Sequence, residues 1–182
     1  MTNRVARLFL FASLALMLLA VGVPSILAQD DESPEVKLYR EDYERVTKIV
    51  AITDQLKRAD GLLTFTKERP DSKMNDYVRD NILAVLDSLV KADNNSALSS
   101  LTDRYIKLRP RVGETYYFQG VALKNMRKFP EAIDSLAKCV VQKNRLSSKA
   151  REFLEYIYKG QNQGNLTGLD KVLKKAQDDL GK

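Results

Sequence analysis

Apolar residues recur every three or four positions over most of the chain beyond residue 33. Val36, Tyr39, Tyr43, Val46, Val50 and Thr53 step by 3, 4, 3, 4 and 3, which places them on one face of a helix. Ser33 ahead of Pro34 suits an N-cap followed by proline at the first helical position. The same spacing returns at Val78, Ile82, Val85 and Leu89, at Leu98, Leu101, Tyr105 and Leu108, and at Leu166, Leu169, Leu173, Ala176 and Leu180. Between these stripes stand breakers: Asp60-Gly61, Arg69-Pro70-Asp71, Asp93-Asn94-Asn95-Ser96, Arg109-Pro110, Phe129-Pro130, Gly160 and Gly164. The pattern predicts eight helices, near 34–58, 61–69, 73–91, 95–108, 113–126, 130–143, 147–160 and 166–180. Leu62-Leu63-Thr64-Phe65-Thr66 has strand-like composition, but a lone strand has nothing to pair with, so a helix is expected there too.

The expected helices fall into four hairpins beginning near residues 34, 73, 113 and 147, a period of about 34–40 that marks stacked helical repeats. Two joints are alike. Glu68-Arg69-Pro70 is followed by Tyr77, and Leu108-Arg109-Pro110 by Tyr117, each tyrosine seven residues after its proline. The fold class expected is all-α, helical hairpins stacked as a short α-solenoid. A plain helical bundle would show the same periodicity, because a 3–4 stripe reports burial and not the partner.

The first residues follow a different pattern. Arg4 and Arg7 precede an apolar run from Leu8 to Ala28, and no acid appears before Asp30. That order is the mark of a secretory signal, with Pro24 ending the apolar helix and Ile26-x-Ala28 offering a cleavage site. A run of this length, about 20 residues, also suits an uncleaved inner-membrane anchor over residues 8–28. Either reading exports residues 29–182, to the periplasm or the exterior. Asp30, Asp31, Glu32 and Glu35 make residues 29–35 an acidic leader of disorder-prone composition, ahead of a helical domain over 36–182.

Composition narrows the chemistry. The 182 residues include no His, no Trp and one Cys. Without imidazole there is no His base, no Ser-His or Cys-His nucleophile pair and no His metal ligand. One cysteine makes neither an internal disulfide nor a thiolate zinc site. Asp30-Asp31 and Asp178-Asp179 are terminal pairs that suit solvent, and Gly160-Gln161-Asn162-Gln163-Gly164 lacks the preceding strand of a phosphate loop. No catalytic, cofactor or metal residue is assigned. Asn94-Asn95-Ser96 and Asn165-Leu166-Thr167 fit the N-glycosylation sequon.

The net charge is +6, and it falls to +4 once Arg4 and Arg7 are removed with the signal. Between Arg104 and Arg151 stand twelve basic residues against Glu114, Glu131 and Asp134. Solvated helix faces explain such an excess, and so does a surface for an anionic partner. In an exported chain that partner is acidic polypeptide, phospholipid or acidic glycan before nucleic acid.

One hairpin carries a more specific pattern. Residues 113–144 read GETYYFQGVALKNMRKFPEAIDSLAKCVVQKN. With Tyr116, Gly120, Leu123, Phe129, Ala132, Leu136 and Cys139, this stretch resembles a tetratricopeptide repeat. The resemblance implies that Gly120 and Ala132 stand where two helix backbones approach closely, so that larger side chains overpack. It implies Tyr116 and Leu123 in the intra-hairpin core and Phe129 at the turn. Three positions depart from the motif: Gln119 replaces an aliphatic, Arg127 a turn glycine, and Asn144 a closing proline. Residues 95–110 match less well, with Ala97 and Leu101 in second-helix places, and 147–180 keep only the size of the unit.

For the function, the resemblance implies a non-catalytic module that binds protein or peptide along the first helix of each pair. The groove positions of the matching unit fall on Glu114, Tyr117, Val121, Lys124 and Asn125. Tyr117 and Val121 stand where some members carry Lys and Asn for a terminal carboxylate, so that specificity is not expected here. They point to an apolar groove with Lys124 and Asn125 at its edge, or else to packing of Tyr117 against the preceding hairpin. The alternative function is a basic helical domain docking on an anionic surface. Steep weakening by salt separates the two, since the Debye length falls to about 3 Å at 1 M.

Overall fold

The computed structural model describes residues 33–181. The apolar run 8–28 and leader residues 29–32 lie outside them. Of the described residues 77% are helical and none forms a strand. Eight helices follow one another: α1 (Pro34–Val50), α2 (Gln55–Glu68), α3 (Asn75–Lys91), α4 (Asn95–Leu108), α5 (Gly113–Asn125), α6 (Phe129–Val141), α7 (Ser147–Gln161) and α8 (Leu169–Leu180). No helix among the described residues is long and apolar enough to cross a membrane.

The first joint differs from the expectation. Asp60-Gly61 does not interrupt a helix; the chain breaks earlier, at Asp54, whose Oδ1 accepts from the N–H of Leu56 at 3.0 Å and of Lys57 at 3.1 Å. This side-chain cap satisfies two donors that a continuing helix would have bonded, so α2 starts there. Gly61 sits inside α2 because α1 passes close by: a Cβ on it would lie 2.8 Å from Ile49 Cγ2. Helix α1 opens at Pro34, the first helical position expected from the sequence, so Pro34 and Glu35 belong to the helix and not to the acidic leader.

Consecutive helices pack as hairpins, α1 on α2, α3 on α4 and α5 on α6, and the hairpins join through α2 with α3, α4 with α5 and α6 with α7. First helices also touch, α3 with α5 and α5 with α7. The buried apolar side chains run from Val46 to Ala176 and form one cluster, so the core closes within this unit. The likeness of the joints has a physical counterpart. The C-caps of α2, α4 and α6 are Arg69, Arg109 and Gln142. Each side chain reaches back by one joint: Gln142 donates to the Pro110 carbonyl at 3.4 Å, Arg109 to the Pro70 carbonyl, and Arg69 pairs with the buried Asp42 at 3.4 Å.

The last pair departs from the hairpin plan. Instead of packing along α7, α8 lies on α6, where Leu169 and Ala176 are buried and Lys175 stands 3.7 Å from Asp134. The connection before it contains three left-handed residues, Gln163 (φ +52°), Gly164 (φ +83°) and Gly168 (φ +91°), which redirect the chain.

Candidate functional site

Tyr117, Val121 and Lys124 share one face of α5, as their 4 and 3 spacing requires. That face meets α7. Tyr117 is 9% exposed and Val121 8%, against 5% for the core residue Tyr116. The Lys149 ammonium lies 5.2 Å from the centre of the Tyr117 ring, and Phe118 meets the same ring edge-on at 5.5 Å. The middle of the expected groove is therefore covered, by α7 of the following hairpin and not by the preceding hairpin as expected. Glu114 is half-buried and faces Arg145 at 3.4 Å. Asn125 donates to the Asn95 side chain at 2.9 Å, tying α5 to the start of α4.

Of the five, Lys124 borders an open cavity. Its ammonium stands 6.0 Å from the Phe153 ring of α7, and its stem walls a depression of about 530 Å³ with Phe129, Tyr156, Ile157, Lys159 and Gly160. The depression forms because α7 outlasts α5: α5 stops at Asn125, while the last turns of α7 run on beside the α5–α6 turn. Tyr156 is 70% exposed, more than any other large apolar or aromatic side chain described. A Cβ on Gly160 would meet nothing within 4 Å, so that glycine leaves the cavity open. The lining holds Lys124 and Lys159 and no carboxylate. Arg127 and Lys128, exposed in the adjoining turn, raise the local positive charge further.

A second depression lies on the other side of α5, where α4 and α6 diverge. Its floor is Tyr116, Gln119 and Leu123, and its walls include Ile106, Asp103 and Asp134. Gln119 spans it, donating to Asp103 at 2.6 Å and accepting from Ser135 at 2.8 Å. Here the departure from the motif acquires a role: an aliphatic could not tie α4 to α6.

Four of the twelve basic residues between 104 and 151 are paired with carboxylates of the same chain. Arg104, Lys138, Arg145 and Arg151 pair with Asp60, Asp134, Glu114 and Glu155. The perturbed acids are also uninviting for catalysis. Burial pushes the Cys139 thiol up to about 11 and the Tyr105 phenol to about 12, and it raises Tyr116 as well. These directions hold the groups neutral, opposite to what an activated nucleophile needs. Among the described residues no cluster of three His, Cys, Asp or Glu could hold a metal ion.

Compared with known protein families, curated proteins and solved structures, the chain matches none of them.

The sequence pattern pointed to α5 and missed Tyr156, Lys159 and Gly160. Their signal was present but ambiguous: a glycine four residues after an aromatic suits a helix end as well as a cavity floor.

Proposed function

We propose that this chain is an exported, non-catalytic protein-interaction module of tetratricopeptide-like design, which takes a partner's peptide at the Lys124–Tyr156 cavity. The observation that supports it is a lysine-flanked apolar depression with an exposed aromatic on a rigid helical support. Such concave apolar sites with few polar groups are the usual form of binding pockets. Exposed tyrosines in them are frequent anchors. The closeness of α5 and α7 gives the cavity fixed walls, so little ordering is needed when a peptide enters.

A peptide-display selection against residues 29–182 tests this. A Cβ on Gly160 would meet nothing within 4 Å, so the indole of Gly160→Trp can enter the depression and fill it. Peptides recovered on the parent should lose at least about tenfold in affinity on this variant, which is about 1.4 kcal/mol. They should also keep most of their affinity at high salt, since the contact is chiefly apolar. Binding indifferent to the plug would overturn the site, and recovery of no peptide would overturn the reading.

A further inference from the structure

The Lys124–Tyr156 cavity is apolar on its walls and cationic at its rim. Phe129, Tyr156 and Ile157 supply ring and aliphatic surface, and Lys124 and Lys159 supply charge. Among the described residues neither ammonium is paired with a carboxylate, unlike the cations of Arg104, Lys138, Arg145 and Arg151. Arg127 and Lys128 add two exposed cations in the adjoining turn. The acids of the surrounding elements are engaged or face elsewhere. Glu155 accepts from Arg151 at 2.6 Å, Asp93 accepts from Asn95 at 2.7 Å, and Glu131 lines the depression on the other side of α5. Glu152, exposed one turn before Tyr156, leaves a clear excess of the four cations. The backbone leans the same way. Helix α6 starts at Phe129, and its N-cap Lys128 offers no side-chain acceptor, so a positive helix end lies at a cavity-lining residue. The carbonyl ends of α5 and α7, which would repel an anion, already accept from N–H groups. Ala122, Leu123 and Lys124 are capped by Met126, Lys128 and Arg127, and Lys159 by Gly164.

We infer that the peptide taken here is acidic: a large apolar side chain enters the cavity, and side-chain carboxylates beside it meet Lys124, Lys159 and the Arg127–Lys128 turn. This rests on the peptide reading of the cavity and adds the chemical class of the partner. Shape favours a peptide over a lipid surface. A bilayer is flat, whereas the two lysines border a depression of about 530 Å³, within the ~300–1,000 Å³ usual for ligand pockets. Exposed ion pairs are each worth little, and complementary charge governs specificity more than affinity. The apolar anchor therefore holds the peptide, and the carboxylates select it.

The test selects random displayed peptides on residues 29–182, whose buried core lies within Val46–Ala176, and reads the flanks of the sequences recovered. They should carry Asp or Glu next to an aromatic or large aliphatic anchor. Synthesised with amidated C-termini, they should lose at least about threefold in affinity at low salt when their acids become Asn or Gln. That difference should fade at about 1 M salt while the anchor's share persists. Lys124→Gln and Lys159→Gln keep the stems, so each should shrink the difference by weakening the acidic peptide and sparing its amide version. Lys124→Glu with Lys159→Glu should turn the preference toward basic flanks. Peptides that lose binding on Gly160→Trp yet carry neutral or basic flanks would overturn the acidic partner and leave the cavity standing. Peptides indifferent to Gly160→Trp, or none recovered, would overturn the cavity reading and this inference with it. Binding abolished by C-terminal amidation alone would assign the anion to a chain terminus and overturn the side-chain carboxylates. Flotation with phosphatidylglycerol vesicles that needs both lysines, with no acid preference among peptides, would replace the peptide with a membrane surface.

Discussion

Gly120 of α5 packs directly on Leu136 of α6. A Cβ placed on that glycine would lie 2.6 Å from Leu136 Cγ and 3.4 Å from the carbonyl oxygen of Ala132. Leu136 and Ala132 are both fully buried and have nowhere to move. Gly120→Ala should therefore destabilise the chain by roughly 1–3 kcal/mol despite its better helix propensity, and Ala132→Leu should cost a similar amount by overpacking. Gly160→Ala is the internal control. It lies in α7 with open space around its Cβ, so the same change should stabilise by about 0.5–1 kcal/mol. Urea midpoints that move the same way for both glycines would refute the close approach.

Arg127 joins α5 to α6 with φ +61°, a left-handed conformation that costs a side-chain-bearing residue about 1–2 kcal/mol. Its side chain is exposed. Arg127→Gly should raise stability by about 0.5–1 kcal/mol, the relief of strain exceeding the entropy added to the unfolded chain. A lowered thermal midpoint would show that the guanidinium does more than this geometry indicates.

Asn144 holds two helix ends at once. Its Nδ2 donates to the Cys139 carbonyl at 2.9 Å, its Oδ1 accepts from the Leu146 N–H at 2.9 Å, and its N–H donates to the Ser147 hydroxyl at 2.8 Å. Gly113 leaves it room, since a Cβ there would lie 2.3 Å from Asn144 Nδ2. Asn144→Ala should cost about 1 kcal/mol through the lost bonds to the Leu146 N–H and the Cys139 carbonyl, which keeps its bond from the Ser147 hydroxyl at 3.1 Å. Amide exchange should quicken first at the start of α7.

Alkaline pH should destabilise the fold. Cys139 is raised from about 9 to about 11 and Tyr105 from about 10 to about 12, both chiefly because burial disfavours the charged form. The native state thus keeps protons that the unfolded chain releases, and stability falls as pH rises through that window while staying level below about pH 9. Denaturation midpoints measured from about pH 8 to 11 check the sign. In the native chain at neutral pH, Cys139 should resist alkylation and react only on unfolding.

The helices were legible because each one carries a stripe at helical spacing and a local stop. Arg69-Pro70, Arg109-Pro110 and Asp93-Asn94 act through their own backbone, so their effect needs no neighbour. Asp60-Gly61 misled for the converse reason. Glycine stops a helix only when nothing else fixes its backbone, and here Ile49 of α1 demands a residue without a Cβ. The departures from the repeat motif at Gln119, Arg127 and Asn144 were visible as letters; their roles as a bridge, a left-handed joint and a double cap depend on what surrounds them.

Sequence alone determined the all-helical class, the positions of most turns beyond the first and the absence of imidazole chemistry, because each depends on local spacing or on composition. It also placed Tyr117, Val121 and Lys124 on one helix face. Only the tertiary structure decided which part of that face stays open. Burial depends on where the next hairpin lands: Lys149 of α7 covers the Tyr117 end, and the extra length of α7 beyond α5 leaves the Lys124 end, over the Phe153 ring, open beside Tyr156. A stripe reports that a helix has a partner, and the fold decides which.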